Sequence, residues 1–200
     1  QHQRSQHRMR DRLKYLASTE TRLAKEETLY AENVRRRDSH THTVMEKGKE
    51  KILVELTADG KTFTAKDSEK IKDRLLEGVK EVTRDSSAKF PFGSYRGFEV
   101  SVERAAIRMS GKDGFQLSLR GAGEREFRPG NLFYDFEEKF SLAGLFQRMD
   151  NFLAKGLDEA VETHRKNARQ ERAELETVNA ALGKEFPQQE ELALARENHS

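Results

Sequence analysis

The chain has 200 residues, of which 34% are hydrophobic and 36% are charged, and its formal net charge is +2. Because a globular domain is usually about half apolar, we expect long solvated helices around a modest core. The chain has no Cys, which excludes disulfides and cysteine zinc sites, and no apolar run reaches the roughly 20 residues of a membrane-spanning helix. It begins Gln-His-Gln without a signal sequence, so we interpret it as a piece of a larger cytoplasmic polypeptide with no membrane partner.

The first predicted element is a long helix over roughly residues 3–37. Its apolar side chains recur in steps of four and three, which is a heptad pattern, with Glu20 and Glu27 in two of the core positions. These apolar side chains are Met9, Leu13, Leu16, Leu23, Tyr30 and Val34. With the loop that follows, this helix forms the first predicted segment, residues 1–47.

The start of this helix carries a stripe of cations. Arg4, Arg8 and Arg12 recur every four residues near one helix face. Such a stripe can follow a DNA backbone through salt-sensitive contacts; a solvated helix surface is the alternative. His40 and His42 have a spacing that could chelate a metal, but local spacing supplies no third ligand, so we predict a flexible loop and no metal site.

The segment 48–140 predicts a small α+β domain. "KILVELTADGKTFTAKD" reads as strand, Asp59-Gly60 turn and strand, and Gly60 is the structural residue of that turn. Thr64 then caps a helix with the apolar stripe Ile71, Leu75, Leu76, Val79 and Val82. Alternating strands follow around 98–102 and 115–119, joined by the turn "SGKDG", Ser110 to Gly114, and a third piece around 125–133 adds a strand. We predict an antiparallel sheet with a helix on one face.

The last segment, 141–200, predicts a second long helix that begins after the N-cap Ser141. Gly183 stands where a helix-ending residue belongs, and Pro187 would open a short last helix. The helix core positions continue as Val161, His164, Ala168, Glu171, Leu175, Val178 and Leu182. The fold class is therefore α+β, a small sheet domain flanked by two long, coiled-coil-like helices.

Three arrangements of the long helices stay open. An antiparallel pair would bring Glu20 and Glu27 near His164 or Arg165. The polar positions could instead be solvated faces, or the helices could pair with the rest of the parent polypeptide or with a second copy in a homodimer.

The stretch "KFPFGSYRGFEVSV", residues 89–102, is the candidate functional site. Tyr95 could stack on a base and Arg96 could pair a phosphate, with Gly93 and Gly97 permitting a close approach. The alternative is a strand-entry turn with its phenylalanines in the core. Further candidate cations are Lys89, Arg120, Arg125 and Arg128. Acidic residues in the same span neutralise them unless folding segregates the two signs.

No catalytic or cofactor motif is present. "GAGERE", Gly121 to Glu126, is neither a phosphate-binding loop nor a complete dinucleotide fingerprint. A nucleophile elbow, an HExxH helix and a paired-carboxylate site are also missing. We therefore expect no cofactor and no catalysis by these residues alone.

Three stretches carry a resemblance: "FGSYRGFEVSV" followed by "LSLRG", then "SLAGLFQRMDNFLAKGLDEA", and the ending "LETVNAALGKEFPQQEELALARE". Together, over roughly residues 50–195, they resemble the C-terminal region of very large helicase and N6-adenine methylase proteins of phages, plasmids and integrative elements. Those proteins resemble SNF2-type or DEAD/DEAH-type helicases, and some act in phage defence against restriction. Relative to the family pattern near the helix start, Arg148, Asn151 and Leu153 are kept, and Asp150 replaces Glu.

The resemblance implies a noncatalytic accessory domain of a helicase or DNA methylase, with the chemistry elsewhere in the parent protein. It would contact DNA through Tyr95, Arg96 and the N-terminal arginine stripe. The alternative is a structural or dimerisation module that braces the parent protein without touching nucleic acid.

Overall fold

The computed structural model describes residues 2–107 and 111–198, and over them the chain has an α+β fold. Contacts group the chain into two compact units, one combining residues 1–28 with 161–200 and the other comprising residues 29–160. The division falls inside the two long helices, α1 (His2–Ser39) and α4 (Leu157–Glu197), rather than at the ends of the central segment.

A small hairpin follows α1 in the second unit. Strand β1 (Thr43–Glu46) pairs with β2 (Lys49–Ile52) across a turn in which Lys47 and Gly48 both have positive φ. The sequence predicts a loop here and a strand that begins at Lys51, and both predictions are wrong. Gly48 is the local signal for the turn, but Lys and Glu make up most of β2, so strand propensity gives little indication of this hairpin.

The second unit is built on an antiparallel sheet, as predicted, and this sheet has seven strands. The predicted hairpin at Asp59-Gly60 is confirmed, because both turn residues have positive φ and the flanking strands pair. The strand order is β4-β3-β5-β6-β7-β8, with β9 pairing β7. The strands are β3 (Glu55–Ala58), β4 (Lys61–Thr64), β5 (Lys89–Tyr95), β6 (Phe98–Ile107), β7 (Lys112–Arg120), β8 (Glu126–Phe127) and β9 (Phe133–Asp135).

Two predictions within this sheet need correction. Ser110 of the predicted "SGKDG" turn lies outside the described residues, and Lys112 to Gly114 belong to β7, where they pair with β6. The third predicted strand is two short strands, β8 and β9, separated by a 3-10 turn at Gly130–Leu132. Pro129 precedes that turn, and a proline cannot donate a ladder hydrogen bond.

Helix α2 (Ser68–Arg84) covers one face of the sheet and contacts β5 and β6. Its buried residues Ile71, Leu75 and Val82 follow the predicted stripe, whereas Leu76 is exposed because it lies about 100° around the helix from Leu75. The core also includes Phe92, Phe98, Val100, Val102, Phe115, Leu117, Leu119, Leu145, Met149 and Leu153. The alternation of strands β6 and β7 therefore points one set of side chains into this core.

A continuous helix runs from Leu142 through α3 (Leu142–Asn151) into α4. The predicted N-cap is confirmed, because the Ser141 hydroxyl accepts a hydrogen bond from the Gly144 N–H at 3.0 Å. A π-helical turn at Phe152–Gly156 joins the two helices, and in it the Leu157 N–H donates to the Phe152 carbonyl, five residues back.

The predicted end of the long helix at Gly183 and the separate helix from Pro187 are wrong, because α4 continues to Glu197. Gly183 does not have the positive φ of a helix-ending glycine. Alanine and leucine immediately precede it, and these strong helix formers favour continuation. Pro187 therefore lies inside a helix, where its missing N–H removes one intrahelical hydrogen bond.

The first unit is formed by facing parts of α1 and α4. Residue numbers rise along α1 as they fall along α4, so the two helices run antiparallel there. The contacts that show this are the ion pairs Glu20–Arg172 at 3.3 Å and Arg22–Glu171, and the 3.5 Å approach of Glu26 to the His164 Nδ1. Glu27 also lines one cavity with His164 and Arg165. The predicted antiparallel arrangement therefore describes this unit.

The buried face of α1 in this unit differs by one residue from the predicted one. Thr19 and Leu23 are buried and Glu26 faces His164. Glu20 and Glu27, which the heptad pattern places in the core, lie at the rim, where both carboxylates approach Arg172. A hydroxyl costs less to bury than a carboxylate, so the helix turns Thr19 inward.

Gly114 gives a test of the contact between β7 and β9. A Cβ at this residue would lie 1.9 Å from the carbonyl oxygen of Tyr134, and the register Gly114↔Asp135 prevents the strands from separating. We expect Gly114→Ala to lower the free energy of unfolding by about 3 kcal/mol in denaturant titrations. Gly130→Ala is the matched control, because no atom lies within 4 Å of its added Cβ. Equal effects of the two substitutions would contradict the contact.

Candidate functional site

The stretch Lys89 to Val102 forms β5, a two-residue turn and the start of β6. Tyr95 and Phe98 face each other across the turn, and Arg96 and Gly97 both have positive φ, as in a type I′ hairpin turn. Glycine is required at position 97 for a second reason: a Cβ there would lie 2.7 Å from the Arg36 Cγ of α1. The stretch is the tip of a hairpin that lies against the end of α1.

Four side chains at this tip form one polar group, the Asp150 cluster: Tyr95, Arg96, Asp150 and Thr41. The Tyr95 hydroxyl donates to Asp150 Oδ1 at 2.5 Å, and Arg96 Nη1 donates to the same oxygen at 3.1 Å. Arg96 Nε donates to the Thr41 hydroxyl at 2.9 Å, and that hydroxyl donates to the Arg37 carbonyl at 2.5 Å. The cluster therefore joins the hairpin tip, the chain just after α1 and helix α3.

The cluster leaves neither Tyr95 nor Arg96 free for a ligand. Tyr95 is 0% exposed and its ring packs edge-on against Phe146, with centroids 5.1 Å apart. Burial, followed by the hydrogen bond to Asp150, raises the pKa of the Tyr95 hydroxyl well above its ordinary value. Arg96 is 9% exposed and ion-paired. The hypothesis that Tyr95 stacks on a base and Arg96 binds a phosphate does not fit this arrangement.

The other candidate cations of the sheet are paired with acidic neighbours. Arg120 pairs with Glu99, which lies directly opposite it in the β6–β7 register. Lys89 and Arg128 both contact Glu103 and Glu126. Folding therefore interleaves the two signs in this region instead of separating them into a cationic patch.

Arg125 also makes an internal contact. Its Nη2 donates to the Tyr30 hydroxyl at 2.6 Å, and its guanidinium lies 4.5 Å from the centre of the Tyr30 ring. On the same part of α1, the Asn33 amide oxygen accepts from the Ala122 N–H at 2.6 Å. These contacts attach the end of α1 to the loop after β7.

The end of α1 also contacts the π-helical turn. Arg37 Nη1 donates to the Leu153 carbonyl at 2.8 Å and to the Asp158 carboxylate at 2.9 Å. Because the Leu157 N–H donates to Phe152 instead of Leu153, the Leu153 carbonyl has lost its ordinary α-helical donor and accepts from Arg37. The turn therefore serves as a docking point for Arg37.

The N-terminal arginine stripe differs from the sheet cations. Arg4, Arg8 and Arg12 are exposed, and no ion pair or hydrogen bond joins them to any side chain that the structure describes. The nearby acidic residue Asp11 contacts His7 at 3.9 Å instead. Arg4 and Arg8 line an open concavity of about 390 Å³ on α1. Of the predicted site residues, these three arginines alone combine exposure with uncompensated charge among the described residues.

A groove in the first unit was not predicted from the sequence. The Tyr15 groove, about 440 Å³ in volume, is lined by Tyr15, Asn167, Gln170, Glu171, Glu174, Leu175 and Val178. Tyr15 is 65% exposed. Periodicity places Tyr15 off the apolar face of α1 and gives it no role, and only the antiparallel pairing brings it beside α4. An exposed aromatic next to Lys14 was the available signal.

The remaining candidates have local partners. The His40 Nδ1 lies 2.9 Å from the Arg36 carbonyl, and the His42 Nδ1 lies 3.0 Å from the Glu55 carboxylate. No three His, Asp or Glu side chains converge to hold a metal ion among the side chains that the structure describes. In the part of the chain that the structure describes, no helix is both long enough and apolar enough to cross a membrane.

Comparisons with known proteins add no relative. The chain matches no family model, no curated protein and no solved structure. The geometry of these residues and the sequence resemblance are therefore what indicate a function for this chain.

Asp150→Ala tests the Asp150 cluster. The substitution leaves the Arg96 charge buried without a carboxylate and the Tyr95 hydroxyl without its acceptor. We expect the free energy of unfolding to fall by about 3 kcal/mol in denaturant titrations. Combined with Arg96→Met, the loss should be smaller than the sum of the single losses. Glu32→Ala, which removes an exposed ion pair with Arg35, is the control. If Asp150→Ala lowers the free energy of unfolding no more than Glu32→Ala does, the cluster is contradicted.

Glu103 makes stability depend on pH. Burial opposes its ionisation, but hydrogen bonds from Arg128, Gln116 and Ser118 outweigh burial and lower the pKa of Glu103 from 4.5 to about 2. Because the folded-state pKa is lowered, the stabilisation is complete above about pH 4.5 and is lost as the pH falls through 2.

We therefore expect Glu103→Gln to lower the free energy of unfolding by about 2 kcal/mol at pH 7, after allowance for solvent screening. The difference from the parent chain should shrink between pH 4.5 and 2. Denaturant titrations across this window measure it, and NMR titration of the Glu103 carboxyl gives the pKa directly. A carboxyl midpoint near 4.5 would contradict the hydrogen-bonded arrangement.

Proposed function

We propose that this chain is a noncatalytic accessory module that contacts DNA through the N-terminal end of α1. The observation that carries the proposal is the contrast between two sets of cations. Those of the sheet are neutralised by acidic neighbours, whereas Arg4, Arg8 and Arg12 are exposed and uncompensated by any described side chain. A step of four residues advances about 6 Å along a helix, so the stripe can contact phosphates along one backbone.

The absence of catalysis in this module is part of the proposal. Among the described residues, the Asp150 cluster brings together a tyrosine, an arginine and an aspartate, which are side chains that also occur in reactive sites. Each of its polar groups is occupied by a hydrogen bond that holds the hairpin, α3 and the chain after α1 together. Such a cluster supports a structural role.

The resemblance supports a parent protein of the helicase or DNA methylase class, cytoplasmic and encoded by a phage or another mobile element. The ATP-binding and methyl-transfer chemistry would then reside elsewhere in that parent. Tyr95 and Arg96 come from one resembling stretch and Asp150 from another, and the three meet in one cluster. This contact supports the view that the two stretches belong to one module.

The test is fluorescence anisotropy with labelled single-stranded, duplex and forked DNA at low and moderate salt. We expect Arg4→Gln/Arg8→Gln/Arg12→Gln to weaken binding tenfold or more. On duplex DNA, the slope of the logarithm of the binding constant against the logarithm of the salt concentration should become shallower by about 0.9 for each phosphate contact that is lost. Lys70→Gln/Lys72→Gln/Lys80→Gln is the matched control, since it removes the same charge from exposed positions of α2. Equal losses in the two variants would overturn the assignment of the site.

A structural or dimerisation module is the second candidate function. The interhelical ion pairs of the first unit favour it, as do the exposed apolar side chains Leu13 and Val178 on the same two helices. Light scattering after size exclusion distinguishes the two functions. A dimer that binds no DNA at low salt supports this second function, and a monomer that binds DNA supports the first.

A further inference from the structure

Four features of the Tyr15 groove suit a nucleobase. Tyr15 offers an exposed ring, and exposed aromatics beside cations are stacking platforms for single strands. Asn167 and Gln170 are exposed amides, which supply both donors and acceptors to the edge of a base. Leu175 and Val178 add apolar surface, and the volume of about 440 Å³ lies in the range of small-molecule sites.

The charges around the groove orient such a ligand. Glu171 is paired with Arg22, whereas Glu174 is exposed and has no ion-pair partner among the described residues. A carboxylate repels a phosphate but accepts a hydrogen bond from an amino group such as cytosine N4. The base therefore enters the groove, and the phosphates stay outside it.

The arginine stripe lies where those phosphates would be. Tyr15 follows Arg8 by seven residues, so both occupy the same side of α1 about 10 Å apart along its axis. Arg12 lies between them, less than one turn from Tyr15. One strand can therefore contact the arginines with its backbone and Tyr15 with a base.

We propose that the first unit binds single-stranded nucleic acid, with phosphates on Arg4, Arg8 and Arg12 and one base stacked on Tyr15 in the groove. This inference rests on the proposed function, and it specifies the class of nucleic acid. Duplex DNA keeps its bases stacked inside, and extracting one costs free energy. A duplex would use the arginines alone.

The test compares three probes of equal length with the full chain at low salt: oligodeoxycytidine, an abasic oligonucleotide and a duplex. Stacking of one base predicts that oligodeoxycytidine binds about fivefold or more tightly than the abasic strand. Tyr15→Ala should abolish this difference, and Tyr15→Phe should retain it. Tyr15 is exposed, so neither substitution removes a buried contact.

Tyrosine fluorescence gives a second readout. The chain has no Trp, and Tyr30, Tyr95 and Tyr134 are at most 7% exposed. Stacking on Tyr15 should quench the emission when oligodeoxycytidine is added, and the abasic strand should quench it less. In Tyr15→Phe the quenching should disappear while binding persists.

The outcomes separate this inference from the function on which it rests. Equal affinity for oligodeoxycytidine and the abasic strand, together with a large loss in the triple arginine variant, would overturn the base site and leave DNA contact intact. Absence of binding to every probe at low salt would overturn both. A preference for duplex that Tyr15→Ala does not change would also overturn the base site.

Discussion

The second unit depends on one carboxylate. Asp150 accepts hydrogen bonds from the Tyr95 hydroxyl and from the Arg96 guanidinium. Burying either group without this acceptor would cost free energy. Through Arg96 the same contact reaches Thr41, just beyond α1. Three segments far apart in sequence are thereby fixed to one another, and the packing of Tyr95 on Phe146 follows from that placement.

Electrostatics act differently in the two units. In the second unit, strand register places opposite charges face to face, as at Glu99 and Arg120, so the outer surface of the sheet has little net field. In the first unit, Glu20 and Arg22 of α1 form ion pairs with α4. The first helical turns of α1 instead carry Arg4, Arg8 and Arg12, which have no described partner. Among the side chains that the structure describes, these uncompensated cations of the first unit therefore lie at the N-terminal end of α1.

The parts of the fold that sequence predicts are the parts set by local chemistry. The Asp59-Gly60 turn and the Ser141 cap each depend on residues a few positions apart, so the local amino-acid sequence is sufficient to predict them. The heptad pattern of α1 places Glu20 in the core, whereas Thr19 is the residue that is buried. The spacing of apolar residues does not indicate which of two adjacent polar residues is buried.

The site was harder to predict than the fold. The sequence singles out Tyr95 and Arg96 by residue type and position, but their partner Asp150 lies on another element, 55 and 54 residues away respectively. The local sequence of an arginine beside a tyrosine is the same whether the arginine faces solvent or a buried carboxylate. The Tyr15 groove likewise exists only when α1 lies beside α4. Pairing over long sequence separations decides both cases.

The π-helical turn at Phe152–Gly156 has an evolutionary consequence. One residue added to or removed from this turn rotates the following helix by about 100° relative to the preceding one. The face that α3 turns toward the sheet and the face that α4 presents can therefore diverge independently within one continuous helix. Comparison of related chains should treat residues before and after this turn as two separately aligned blocks.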